Sequence, residues 1–343
     1  MSASKLKGSL LEYIVRRLLL NCGFTNVVPD GLLIFKRSGL TMINGKGAAH
    51  DADVLMNPPI QMPFSYPSRL NFECKAYKEK SGLPIIRNAL GLRYDINNFE
   101  VITRQHLDER MNNRRSTFSA IDNRQRFNYQ VGVASVEDFT RPAFEFAANN
   151  KIPLLSLRWF LPDDICDSFH EITDTYVSDY SSQQIRDLLS FLKGERNNNG
   201  QRFIEETESI FKRIYNTIEE IENRVLIGLL ESGDLLFLFS QNIDAMRYVS
   251  DHPIPLNTQF HYEKRDLDYW SLTINEDQNV KFGFYLPINI VKMWENQNFD
   301  RDTAVRIKAQ MFSKVFVFIK NSEIPFRILK IDRMWLDKIG AGD

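Results

Sequence analysis

Three residues of the N-terminal half have the types and spacing that metal-assisted hydrolysis of a phosphodiester requires. Such hydrolysis needs an attacking water molecule and positive charge at the phosphate, and Mg²⁺ held by carboxylates supplies much of this. In the stretch NFECKAY at residues 71–77, strand alternation directs Glu73 and Lys75 to one face. Asp53 precedes Glu73 by twenty positions, at the start of a short apolar run. Two carboxylates and an amine are therefore candidates for one site.

A Glu-x-Lys triplet alone is weak evidence, because acidic and basic residues alternate on many solvated strands. Asp51 is the alternative to Asp53 as a metal ligand, and the strand register favours Asp53 because it directly adjoins the apolar run. His50 is expected to be a loop residue rather than a ligand, since Mg²⁺ prefers oxygen donors. The elements around these residues must supply the context that the triplet lacks.

Hydrophobic periodicity predicts an α/β layer arrangement for the first half of the chain. Apolar residues at helical spacing predict a helix over about residues 4–21, with Glu12 outside its apolar stripe. The predicted order after it is three strands, a helix, a strand, a helix and a strand, which is typical of an α/β sandwich. The predicted strands cover residues 26–35, 52–56, 70–77, 129–135 and 153–157, and the predicted helices cover residues 84–98 and 140–149.

A polar run at residues 194–200 is the most linker-like stretch of the chain, so two domains are predicted, 1–193 and 201–343. The second domain begins with a predicted amphipathic helix over residues 203–230 and continues with several strands, which predicts an α+β fold. No phosphate-binding loop, zinc-ligand spacing or nucleophile motif occurs in it. Its role is predicted to be dimerisation, target sensing or docking to a partner.

Composition and charge limit the possible partners. The 343 residues are 43% hydrophobic and 25% charged, as in ordinary globular proteins, and the formal net charge is −1. The chain is therefore no polycation, and any affinity for nucleic acid must come from local basic patches. One candidate patch is the arginine-rich stretch at residues 104–126, where Arg114 and Arg115 either contact phosphate or lie on a solvated surface. Lys78 is a further candidate for a phosphate contact.

Cysteine content and hydropathy bear on the cellular location. The three cysteines are far apart and lack Cys-x-x-Cys spacing, which argues against a disulfide framework and against a zinc site. The apolar N-terminal run is interrupted by Glu12, Arg16 and Arg17, so an amphipathic helix is expected there rather than a signal peptide. A cytoplasmic protein without a membrane association is predicted.

Four segments in a fixed order resemble those of the PD-(D/E)XK nuclease superfamily, specifically its Mrr-like restriction-endonuclease branch. The likeness covers about residues 5–158. The segments are GSLLE (8–12) through LLNCGF (19–24), HDAD (50–53), ECKAY (73–77), and VASVEDFTRPAFEFA (133–147) followed by IPLL (152–155).

The resemblance implies a role for each matching residue. Asp53 and Glu73 would ligate Mg²⁺, with Mn²⁺ as a substitute metal, and the backbone carbonyl of Cys74 would complete the site. Lys75 would orient or deprotonate the attacking water. Glu12 would be an auxiliary ligand or a group that supports the ligands; a solvated position on the helix is the alternative. The implied fold is a restriction-endonuclease-like three-layer sandwich with a mixed central sheet.

The resemblance also implies a reaction and a partner. The expected function is a Mg²⁺-dependent endonuclease acting on double-stranded DNA, in restriction or anti-phage defence, with a homo-oligomer or a regulatory partner protein. Two alternatives are an RNA or tRNA nuclease and a nucleic-acid-binding assembly module with the nuclease fold and little activity. The long, proline-rich connection between Asp53 and Glu73 departs from the family, as does the arginine-rich insertion. The substrate groove therefore cannot be carried over from the family.

Overall fold

The chain folds as an α/β protein, seen in a computed structural model that describes residues 2–31, 33–61, 65–99, 126–240, 242–252, 255–263, 266–275, 277–320 and 325–341. The helices are α1 (Ala3–Asn21), α2 (Leu83–Asn97), α3 (Arg141–Asn149), α4 (Asp163–Glu171), α5 (Asp174–Ser178), α6 (Ser182–Leu192), α7 (Asn198–Glu206), α8 (Ile210–Ile221), α9 (Ile243–Asp251), α10 (Ile288–Glu295), α11 (Arg301–Met311) and α12 (Arg333–Ala341). The strands are β1 (Thr25–Asn26), β2 (Ile34–Arg37), β3 (Leu40–Asn44), β4 (Ala49–Asp51), β5 (Val54–Asn57), β6 (Ser68–Lys75), β7 (Asn128–Ser135), β8 (Leu154–Ser156), β9 (Val225–Leu230), β10 (Leu235–Phe239), β11 (Leu256–Glu263), β12 (Asp266–Ile274), β13 (Asp277–Tyr285), β14 (Lys314–Phe318) and β15 (Phe326–Ile331).

The first helix forms where its apolar spacing predicts it. Its apolar face is buried, and Gly23, which has a φ of +85°, follows the C-cap residue Cys22. The Phe24 N–H bonds the Leu19 carbonyl at 3.0 Å and the Gly23 N–H bonds the Leu20 carbonyl at 3.2 Å, the pattern of a glycine-terminated Schellman motif. A side chain at Gly23 would also collide with the ring of Phe318, so this position requires glycine.

A mixed five-stranded sheet in the order β1-β5-β6-β7-β8 forms the centre of the N-terminal half. Strand β6 pairs antiparallel with β5 and parallel with β7, and α2 makes the crossover that a parallel pair requires. Leu70, Phe72 and Cys74 face the core that contains α1. The opposite face of the sheet packs against α2 and α3. Helices therefore cover both faces, as the predicted element order indicates.

A separate three-stranded antiparallel sheet, β2-β3-β4, precedes β5. Its turn between β3 and β4 is tied to α2, since Asp95 accepts hydrogen bonds from the Gly47 N–H at 2.8 Å and from His50 Nε2 at 2.6 Å. This contact anchors the segment that leads into Asp51 and Asp53.

The predicted helix over residues 203–230 is wrong. The chain instead forms α7, a break at Thr207, α8, and then strand β9. Side chains of α7 and α8 share one hydrophobic core with α1 and α6, so packing groups residues 198–221 with the N-terminal sheet. The division of the chain into independently folding units stays a prediction.

Seven of the described strands in the C-terminal half close into a barrel in the order β10-β13-β12-β11-β15-β14-β9. Neighbouring strands are antiparallel except for β11 and β15, which are parallel. The core of this half is rich in buried aromatic side chains, which include Trp270, Trp294, Phe260, Phe284 and Phe312. Among the described helices, none is long and apolar enough to cross a membrane.

Candidate functional site

The site begins where β5 and β6 separate. Val54 pairs with Phe72, so Asp53, just before β5, lies beside the end of β6. The Oδ2 atom of Asp53 accepts a hydrogen bond from the backbone N–H of Cys74 at 2.8 Å. The aspartate side chain thus takes the place of a further backbone pairing and is held at the edge of β6.

Glu73 and Lys75 project from β6 toward this point. The Lys75 Nζ atom lies 3.2 Å from Glu73 Oε2 and 4.0 Å from Asp53 Oδ2. The side chains are 26% exposed for Lys75 and 20% exposed for each carboxylate. The carboxylates of Asp53, just before β5, and of Glu73, on β6, therefore meet at one ammonium group that solvent reaches only partly.

Two further carboxylates lie within electrostatic range of Asp53. Burial and the charge of Asp53 raise the pKa of Glu12 to about 7, against the effect of Arg16. Partial desolvation and the charge of Glu73 raise the pKa of Asp51 above its usual value. Glu12 reaches this region from α1, whereas Asp51 is exposed at the end of β4.

The acidic groups act on one another. Burial, followed by the charge of Glu73, raises the pKa of Asp53 to about 6, while the Cys74 N–H acts in the opposite direction. Burial alone would lower the pKa of Lys75, but the Glu73 and Asp53 carboxylates raise it. The site therefore holds more negative charge than its lysine offsets, and a cation of higher charge would relieve the repulsion.

The other predicted site residues have different outcomes. Lys78 is exposed just after β6. Arg114 and Arg115 lie outside the described residues. His50, which is not one of the predicted site residues, is expected in a loop but lies on β4, and its Nε2 atom is bonded to Asp95.

Lys193 and Asn71 belong to the site region and were not predicted. Lys193 follows α6, and its positive charge partly opposes the rise in the pKa of Glu12 and of Asp51. It is held near Glu12 because Arg16 Nη1, one helical turn along α1, donates to the carbonyl of Leu192 at 3.0 Å. No local sequence signal connects Lys193 with the site. Asn71 shares a face with Glu73 by strand alternation, a signal that was available in the sequence.

A second cluster of possible ligands lies elsewhere. Among the described residues, Glu137, Asp167 and His170 have potential ligand atoms within 4.8 Å of one another. A guanidinium already occupies this cluster, since Arg158 Nη2 lies 2.6 Å from Glu137 Oε1 and 2.5 Å from Asp167 Oδ1. His170 Nε2 bonds the same Glu137 oxygen at 2.8 Å. The arginine satisfies the acids, so this cluster is an ion-pair network.

Comparisons with known proteins add little. No protein-family model matches the chain, and no curated protein matches it. Among solved structures, the crystal structure of protein of unknown function AF1548 matches at 14% sequence identity with a TM-score of 0.28. That alignment covers 62% of this chain and 99% of the other. At this score the likeness supports no conclusion about fold or function.

Proposed function

We propose that the chain is a Mg²⁺-dependent nuclease with a restriction-endonuclease-like sandwich of the PD-(D/E)XK type. The observation that carries this proposal is the meeting of Asp53, just before β5, and Glu73, on β6, within 4.0 Å of the Lys75 ammonium. Asp53 and Glu73 lie close together in space although they are far apart in the sequence. Chance alternation of charged residues along one solvated strand does not explain this arrangement.

The donor set suits Mg²⁺. Hard divalent cations prefer carboxylate and carbonyl oxygens, and the site offers the carboxylates of Asp53 and Glu73. The raised pKa of Asp53, about 6, arises from burial beside another carboxylate and is a feature that a cation reverses. When bound, Mg²⁺ supplies the charge that stabilises the phosphate during attack by water.

The backbone carbonyl of Cys74 is suited to be the third ligand. In a strand, the N–H and C=O of one residue point toward the same neighbour. Since the Cys74 N–H bonds Asp53, its carbonyl faces the Asp53 side, past the point where β5 pairing ends. Glu12, with its raised pKa, would support this set from α1.

Lys75 is better suited to orient water than to deprotonate it. The neighbouring carboxylates raise the pKa of its ammonium, which keeps it protonated and able to donate hydrogen bonds to water or to a phosphate oxygen. Lys193 and Arg16 add positive charge on the α1 side of the site.

DNA is the proposed substrate, and RNA is the alternative. A role in restriction or anti-phage defence in the cytoplasm, with a homo-oligomer or a partner protein, follows from the family resemblance alone.

One incubation series tests the reaction and the site. The protein is incubated with supercoiled plasmid, single-stranded DNA and total RNA in Mg²⁺, in Mn²⁺ and in EDTA. We expect cleavage of plasmid only with a metal present, and a loss of at least about 100-fold in Asp53→Asn and Lys75→Met. Lys314→Met, on the barrel, is the matched control and should cleave as the parent does. Cleavage of RNA alone would transfer the proposal to an RNA nuclease.

Two results would sink the proposal. One is equal cleavage in EDTA and in Mg²⁺. The other is a folded Asp53→Asn protein that cuts at the rate of the parent.

A further inference from the structure

One face of β6 carries a continuous row of polar side chains. Alternation places Arg69, Asn71, Glu73 and Lys75 on this face, while Leu70, Phe72 and Cys74 pack toward α1. The row becomes more buried away from the site: Asn71 is 0% exposed and Arg69 is 8% exposed. Polar side chains at such depth need a reason, because burying them without full hydrogen bonding is unfavourable.

Asn71 and Lys75 contact different carboxylate oxygens of Glu73. Its Nδ2 atom donates to Glu73 Oε1 at 3.4 Å, and Lys75 Nζ donates to Glu73 Oε2 at 3.2 Å. The two donors come from the positions before and after Glu73 on the same face. Together they restrict the rotation of the carboxylate about its terminal torsion, which is otherwise soft.

The surroundings of Asn71 favour an apolar residue. Its cross-strand neighbours are Leu55 on β5 and Val131 on β7, both buried. Its Oδ1 atom is buried and has no hydrogen-bond partner among the described residues. A buried acceptor left unsatisfied is destabilising, so packing and stability alone do not explain an asparagine here.

We propose that Asn71 is a positioning residue that fixes the Glu73 carboxylate for metal binding. This inference rests on the proposed function. Residues that orient metal ligands typically change metal affinity or activity by about 10–100-fold when they are replaced. Asn71 thus lowers the stability of the fold and orients one ligand.

The test is Asn71→Leu, which removes the amide and matches the apolar neighbours. We expect the cleavage rate on plasmid to fall about 10–100-fold and half-maximal activity to require more Mg²⁺. In a thermal unfolding assay with Mg²⁺ alone, the rise in melting temperature on adding the metal should shrink. Without metal, Asn71→Leu should have a melting temperature equal to or above that of the parent. If Asn71 served only to stabilise the fold, the variant would melt at a lower temperature.

Two further variants keep the test decisive. Asn71→Ala lacks the amide without adding volume, so it reports on metal binding if leucine does not fit. Ser271→Ala removes a buried hydroxyl on β12 of the barrel and should leave cleavage and the Mg²⁺ response unchanged.

The outcomes separate the two proposals. A parent protein that responds to Mg²⁺, together with Asn71 variants that respond equally, overturns the positioning role alone. A parent that Mg²⁺ neither stabilises nor activates overturns the proposed function, and the positioning role with it.

Discussion

At the scale of single residues, two aspartates compete for the role of metal ligand. Asp53 is held by the Cys74 N–H beside Glu73 and Lys75, whereas Asp51 is exposed on β4 and pairs with Met42 in the small sheet. The two positions differ in the contacts that orient the carboxylate. A metal ligand requires such orientation.

Replacing each aspartate by asparagine distinguishes the two. Asparagine at position 53 still accepts the Cys74 N–H, so the fold is retained while the charge is lost. We expect Asp53→Asn to lose at least about 100-fold in plasmid cleavage and Asp51→Asn to lose less than about tenfold. The reverse order would reassign the ligand to Asp51.

Lys308 on α11 makes the stability of the protein dependent on pH. It is buried to 6% exposure, with its Nζ atom 4.9 Å from the ring centre of Trp335 and 5.6 Å from that of Trp270. Burial, with a smaller effect of Arg301, lowers its pKa from 10.5 to about 8.

The sign of the pH effect follows from proton binding. Between pH 8 and 10.5 the unfolded chain binds a proton at Lys308 that the folded protein releases, so stability rises with pH in this window. We expect Lys308→Met to abolish this contribution and to be more stable than the parent at neutral pH. Urea unfolding of both proteins across the window measures it, with Lys314→Met as the exposed control. An equal pH dependence in Lys308→Met and the parent would contradict the prediction.

At the scale of elements, the Arg158 network ties the ends of β7 and β8 to α4. Arg158 follows β8, Glu137 follows β7, and Asp163 and His170 belong to α4. The hydrogen bonds that Arg158 donates to the acidic groups raise the pKa of Arg158. Burial would raise the pKa of Glu137, but its hydrogen bonds with Arg158 and His170 hold that pKa below its usual value. The network therefore joins helix and sheet as one charged unit.

Removing the arginine tests whether this unit is structural. In Arg158→Met, Glu137, which is 14% exposed in the parent, loses its main partner, and we expect unfolding to become easier by about 3 kcal/mol. Urea denaturation gives this value, while plasmid cleavage by the folded variant should be retained. A melting temperature of the parent that rises strongly with Zn²⁺, and no longer does so in His170→Ala, would identify a metal centre instead.

At the scale of the whole molecule, aromatic stacking and ion pairs join the N-terminal half to the barrel. Trp159 stacks on Tyr285 with centroids 5.5 Å apart, and Phe160 stacks on Phe239 at 4.8 Å. Nearby, Lys151 Nζ lies 2.7 Å from Asp234 Oδ1, beside a cavity of about 110 Å³. The four aromatic side chains are partly buried, and the lysine is half exposed.

The two kinds of contact should differ in strength. We expect Trp159→Ala to lower the free energy of unfolding by about 3 kcal/mol, because a large aromatic side chain leaves a gap. Lys151→Ala should cost less, about 1 kcal/mol, because the lysine is half exposed, and part of that cost should disappear at high salt. Denaturant unfolding at low and high salt measures both. A larger effect of Lys151→Ala would mean that charge, not aromatic packing, holds the halves together.

The parts of this protein that the sequence predicts are those that depend on near neighbours. The helical spacing of α1 and the alternation that puts Glu73 and Lys75 on one face are local, and the structure confirms both. The apolar run at residues 225–230 has no decisive local period. The sequence predicts it as the end of a helix, and only pairing with β10 and β14 makes it a strand.

Tertiary structure alone decided the rest. The hydrogen bond from Cys74 to Asp53, the approach of Lys193 to Glu12 and the closure of the barrel through β11 and β15 join residues far apart in the chain. Periodicity cannot report such contacts, because it records which face a side chain occupies but not what lies opposite. The sequence by itself therefore determined the candidate chemistry and the elements that carry it. The fold decided which charges share one site and which asparagine is buried beside it.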